Sequence, residues 1–163
     1  MAVMDAFTDR LNPDVYVVTA TAGGERAGCL VGFASQCSIQ PVRFMVWLSK
    51  VNRTYEVACE AEFLAVHLLT RDEHELAELF GGETGHQVDK FARAAWIRGR
   101  GGAALLRDAC AWFVGRVERQ VDGGDHVGFV LDPVESGERD RADGRPILRL
   151  GDVRSISPGH PVE

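Results

Sequence analysis

The feature that most constrains this chain is the way its β-forming runs are paired across glycine turns. Val15-Tyr16-Val17-Val18-Thr19-Ala20-Thr21 is β-branched and aromatic, and Ala22-Gly23-Gly24-Glu25 separates it from a second extended run, Ala27–Ile39. Further on, Ala109–Val121 and His126–Val134 flank Asp122-Gly123-Gly124-Asp125, a turn built from residues that accept positive φ. Strands joined so tightly are antiparallel neighbours, because a parallel pair needs a crossover of roughly a dozen residues or more. Arg43–Leu48 and Phe63–Leu69 supply further strands. The predicted helices are short: Val3–Leu11, ended by Asn12-Pro13; Thr54–Glu60; and Glu73–Phe80, opened by the capping-box spacing of Thr70 and Glu73 and stopped by Gly81-Gly82.

Residues 81–108 read as Gly-rich and polar, with one helical turn at Gln87–Phe91. The tail, 135–163, reads as partly loop, with one extended piece at Pro146–Leu150. The whole gives six or seven strands, no internal repeat and no interdomain linker. That pattern predicts a mainly β fold with flanking short helices, most economically a closed antiparallel barrel that leaves no sheet edge exposed.

At 163 residues the chain is the length of one domain. Its net charge of −6, with Lys and Arg scattered, lacks the basic footprint of a nucleic-acid binder. The arginines of 93–107 read as a solvated surface. Nothing approaches the ~18 apolar residues that would span a bilayer. Met1–Leu11 has neither the basic start nor the apolar run of a secretory signal, so the expectation is a cytoplasmic protein. Cys29, Cys37, Cys59 and Cys110 form no C-x-x-C pair, and His74-Glu75 opens no H-E-x-x-H, so neither a zinc ribbon nor a zincin is indicated.

Four stretches bear on chemistry. Gly99-Arg100-Gly101-Gly102-Ala103-Ala104 matches a dinucleotide fingerprint in letters, but no buried parallel strand precedes it, and it reads as a flexible loop. Gly28–Pro41 contains Gly32, Ala34 and Ser35 where a core strand would carry bulk; a planar ligand could lie against such a backbone, and a bulged strand would use the same residues. Ser49-Lys50-Val51-Asn52-Arg53-Thr54 leaves a strand and enters a helix with hydroxyls, an amide and two cations, a composition suited to phosphate or to a plain N-cap. His126 sits at the Asp122–Asp125 turn, where an imidazole is either a ligand contact or ordinary surface.

Taken in order, these residues resemble the flavin reductase-like family of FMN-binding split barrels. The likeness runs from Phe7 to about Pro133 and rests on Val17-Val18-Thr19, Gly23-Gly24, Gly28 to Ser38 with Gln40 and Pro41, Ser49-Lys50-x-Asn52-x-Thr54, Asp89-Lys90-Phe91 and Gly124-Asp125-His126. Where the family carries hydroxyls this chain has Leu30, Gly32 and Phe33, and Ala34 replaces a phenylalanine.

The resemblance implies one domain over 1–163, with its core at about 4–134, folded as an antiparallel, Greek-key-like FMN-binding split β-barrel. It implies a homodimer with the flavin near the interface. Val31, Gly32, Phe33, Ala34, Ser35, Gln36 and Cys37 would face the isoalloxazine and ribityl chain. Ser49, Lys50, Asn52 and Thr54 would hold the phosphate, Phe91 would come from a loop covering the site, and His126 would act beside the nicotinamide or flavin ring. The implied activity is reduction of FMN (or FAD or riboflavin) by NADH or NADPH, with a monooxygenase as a partner for the product. Two rivals keep the barrel: a flavin- or haem-binding carrier without turnover, and an enzyme of deazaflavin or pyridoxamine-phosphate-like chemistry.

Overall fold

The computed structural model describes residues 3–82, 89–139 and 144–156. Its main sheet has seven antiparallel strands: β1 (Tyr16–Ala22), β2 (Glu25–Val31), β3 (Ala34–Ile39), β4 (Val42–Ser49), β5 (Phe63–Leu68), and the long pair β8 (Ala111–Asp122) and β9 (His126–Glu138). A small hairpin, β6 (Trp96–Arg98) and β7 (Ala104–Leu106), precedes that pair. Among the described residues there are three short α-helices, α1 (Asp5–Thr8), α2 (Arg53–Ala58) and α3 (His74–Gly82), besides single 3-10 turns.

The strand order is β2-β1-β5-β8-β9-β4-β3. The two outermost strands, β2 and β3, are consecutive in the chain, and only Gly32 and Phe33 join them. A link that short reaches no more than about 10 Å, so the sheet must curl until its edges meet at that end. The result is a barrel with its seam between β2 and β3. This corrects the reading of Ala27–Ile39 as one extended run: no proline or charge interrupts it, but its halves pair with β1 and β4 on opposite edges.

Several strands are buried on both faces. On β1, Val18 and Ala20 point into the barrel with Leu48, Leu64, Val66, Phe129 and Leu131, while Val17 belongs to a second core outside it. That outer core is closed by Phe80 of α3, Phe91, Leu106 of β7, Leu148 and Val153. Burial on two faces explains why β1 and β5 read as unbroken apolar runs. His67, on the outer face of β5, is fully buried; its Nδ1–H donates to the Val17 carbonyl (2.9 Å) and its Nε2 accepts the Leu106 N–H (3.0 Å). Buried Lys90 donates from Nζ to the carbonyls of Gly28 and Phe80, both at 2.9 Å, tying its turn to β2 and to the end of α3.

Three further expectations change. The segment 81–108 is not only polar loop: Ala103–Leu106 are buried, and the β6–β7 hairpin docks on the outer core. The Gly99–Ala104 stretch, expected as a loop, is a hydrogen-bonded turn that joins β6 to β7. Gly101 has φ 67°, and a Cβ there would overlap the Phe63 ring. Gly101→Ala should therefore cost about 2 kcal/mol, from the left-handed backbone and the displaced ring together. A urea midpoint matching wild type would refute that. The tail also packs: Leu148 donates to the Leu69 carbonyl, accepts from Val15 and is fully buried. The Thr70–Glu73 capping box forms as the spacing predicts. Of the helical turn expected at Gln87–Phe91, residues 87 and 88 lie outside the described residues, and a short turn covers Lys90–Ala92. Among the described residues, no helix is long and apolar enough to cross a membrane.

Candidate functional site

A cavity of about 260 Å³ opens at the seam of the barrel. Cys29, Leu30 and Val31 at the end of β2 form one side, with Gly32 and Phe33 from the crossover. Trp47, Leu48 and Ser49 at the end of β4 and Asn52 from the following bend form another. His126 closes it from the start of β9, and Leu150 from the C-terminal segment.

The crossover is fixed by main-chain bonding, since Trp47 N–H donates to the Phe33 carbonyl at 2.9 Å. Gly32 has no atom within 4 Å of where a Cβ would stand, so bare backbone faces open space. Phe33 is 60% exposed, and its ring lies 5.0 Å from that of His126 at a 56° tilt.

A backbone bond stitches the bend to the β8–β9 turn, Lys50 N–H donating to Asp125 O (2.9 Å), and Asn52 N–H closes the bend on Ser49 O (3.0 Å). His126 donates from Nδ1 to Asp125 Oδ1 at 2.7 Å. That bond holds the Asp125 carboxyl below the usual range and fixes the imidazole's orientation. Lys50 Nζ and Gly124 N–H both donate to Asp122 Oδ1 at 3.0 Å. Gly124, then Lys50, thereby depress the Asp122 carboxyl. Arg53 is paired with Glu25 and Glu56. Asn52 Oδ1 accepts Thr54 N–H (2.9 Å) and caps α2. The Thr54 side chain is buried beside the Cys29 thiol, which burial pushes above its ordinary pKa and so keeps protonated.

Of the predicted site residues, Val31, Gly32, Phe33, Ser49, Asn52 and His126 come together at this cavity. Ala34, Ser35, Gln36 and Cys37 do not line it; they run out along β3, where Ser35, Gln36 and Cys37 are exposed and Gln36 turns back to Ser38 O (3.0 Å). Lys50 and Thr54 do not line it either: Lys50 Nζ bonds Asp122, and Thr54 is buried, its N–H given to Asn52 Oδ1 and its hydroxyl without a hydrogen-bond partner among the described residues. Phe91 lies in the outer core between Phe80 and Trp96, with ring separations of 5.6 and 5.9 Å. Trp47, Leu48, Cys29, Leu30 and Leu150 also line the cavity and are not among the predicted site residues. The first two carry only a strand signal, and Leu150 had only the short extended piece at 146–150 to mark it.

Apolar walls, a bare glycine backbone, an imidazole, a hydroxyl and an amide fit a flat heteroaromatic ring with a polar tail. The cavity is slightly below the ~300–1,000 Å³ of sites that enclose a whole ligand, so it suits the ring and leaves a longer tail outside. A larger cavity, about 520 Å³, lies against α3 and shares none of these residues; Asp72, Glu73, Glu75 and Asp108 line it with Arg93 and Arg139.

Residues 8–155 match the family model described as flavin reductase like domain. A probable flavin reductase of Rhizobium meliloti (strain 1021) is 29% identical over 151 residues, covering 92% of this chain but 47% of that protein. This chain thus spans about half the length of that relative. An NADH-dependent FMN reductase of Streptomyces nodosus subsp. asukaensis is 31% identical over 137 residues, covering 82% of this chain and 72% of that one. The FMN-binding protein from Thermus thermophilus shares the fold, with a TM-score of 0.81 at 22% identity over 96% of this chain and 90% of its own. The seam-split antiparallel barrel and the match over 8–155 agree, and the chain belongs to the flavin reductase like domain family.

Proposed function

We propose that this protein is a flavin reductase that binds FMN, accepts FAD or riboflavin through the same ring, and reduces it with NADH or NADPH. The observation that carries this reading is the convergence of the Gly32-Phe33 crossover, the Ser49–Asn52 bend and the His126 turn on one cavity. A flavin supplies the hydride-accepting ring, chemistry that no side chain provides. The chain binds and orients. Gly32 lets a ring plane approach the main chain, and the apolar walls exclude water. Ser49 and Asn52 offer a hydroxyl and an amide to a polar tail. His126, held by Asp125, presents Nε2 as its remaining polar atom to an incoming nicotinamide nucleotide.

The same reading includes a homodimer. Phe33, Ile39 and Val42 are 60%, 83% and 51% exposed on or beside edge strand β3, a surface that a second copy would cover. It also includes a cytoplasmic setting, with which four free cysteines accord, and a monooxygenase as recipient of the reduced flavin.

The test is to titrate purified protein with FMN, FAD and riboflavin by fluorescence and then follow oxidation of NADH and NADPH. Uptake with turnover is expected. Uptake without turnover would make the protein a carrier, and no uptake rejects the reading. His126→Ala should raise KM for the nicotinamide about five- to tenfold, the worth of one hydrogen bond, and change flavin affinity far less. Lost flavin binding with an unchanged KM would contradict that role.

A further inference from the structure

We infer that Leu150, carried by the C-terminal segment, is a contact for the flavin ring, so that a stretch outside every recognised motif forms part of the binding wall. The inference rests on the flavin reading above and adds a residue which that reading does not use.

The cavity opens where the two cores meet. Cys29, Val31 and Leu48 belong to the barrel interior, whereas Leu30 and Leu150 belong to the outer core. Leu150 has no polar side-chain atom, so it can favour only an apolar surface, which in a flavin is the ring and not the phosphate. Its backbone is fixed from several directions. Leu150 N–H donates to Pro13 O (2.9 Å), Gly151 N–H to Asn12 Oδ1 (2.7 Å) and Leu148 N–H to Leu69 O (2.9 Å). Arg149 N–H donates to Asp152 Oδ2 at 2.9 Å within the same turn. A wall held this firmly is ordered before the ligand arrives, so binding does not have to immobilise it. The competing account is that Leu150 only seals the outer core.

Riboflavin and FMN share the ring and differ in the phosphate, so they separate the accounts. Leu150→Ala in the full chain should weaken both by the same factor, about tenfold for lost apolar contact in a pocket. Leu150→Met, which conserves volume, should stay within about twofold of wild type. Riboflavin added to the wild type should also slow amide exchange at residues 148–151. Unchanged affinity for both flavins in a less stable Leu150→Ala protein would overturn the inference and leave the flavin reading standing. So would weakened FMN with unaffected riboflavin. Should Leu150→Ala fail to fold, exchange at 148–151 unaltered by riboflavin overturns it. Wild-type protein that takes up neither flavin removes both claims together.

Discussion

Replacing Gly32 by valine is expected to weaken flavin binding by up to roughly 100-fold while leaving the fold as stable as before. The backbone at Gly32 is not among the positive-φ glycines, so no left-handed conformation excludes a side chain there. A Cβ there meets no protein atom within 4 Å, so the new side chain starts into open space. The added methyls would instead occupy the space where a ring must reach bare backbone. Overpacking of a close contact costs about 1–3 kcal/mol, which reaches roughly 100-fold in Kd at its upper end. Fluorescence titration beside thermal unfolding checks both halves. Wild-type affinity in Gly32→Val would place the ligand elsewhere. Wild-type affinity lost together with several degrees of Tm would make Gly32 a folding residue instead.

The second large effect concerns pH. Burial lowers the pKa of His67 to about 4, against 6.5 for an unperturbed imidazole. Its hydrogen bonds agree, since Nε2 must be unprotonated to accept from Leu106. The unfolded chain therefore binds a proton between these two values that the folded chain refuses. Stability then falls as pH drops from about 6.5 towards 4, by ~1.4 kcal/mol per pH unit and roughly 3 kcal/mol in all. Below pH 4 the folded form takes up the proton too, and the loss levels off. Other groups titrate nearby, so the difference between wild type and His67→Gln isolates the effect. The variant should be less stable at pH 7, having lost a fitted buried partner, and the gap should narrow by 2–3 kcal/mol towards pH 4.5 on the same linkage argument. A gap that stays constant with pH would mean His67 does not titrate in this way.

Much of the architecture was legible locally. Gly23-Gly24 and the Asp122–Asp125 turn announce their hairpins because only certain residues accept the backbone of a tight turn. The Thr70–Glu73 spacing marks a helix start for a similar reason: its capping bonds span three residues. The candidate site was half legible. Gly32, Ser49, Asn52 and His126 stood out because each is unusual for a plain strand or turn. Phe91 and Lys90 stood out equally and went elsewhere, into the outer core, because a motif records that residues matter without recording to what.

By itself the sequence determined the hairpins, the helix starts and the family, all of which depend on neighbours a few residues apart or on an ordered set of short motifs. Only the tertiary structure decided that 27–39 divides between two sheet edges, that the tail supplies Leu148 to a core and Leu150 to a cavity, and that Gly101 must be bare because Phe63 lies over it. The physical reason is that hydrophobic burial has no direction and no sequence range. Periodicity tells a strand to hide one face or both, but what covers that face is settled by which distant surfaces fit when the barrel closes.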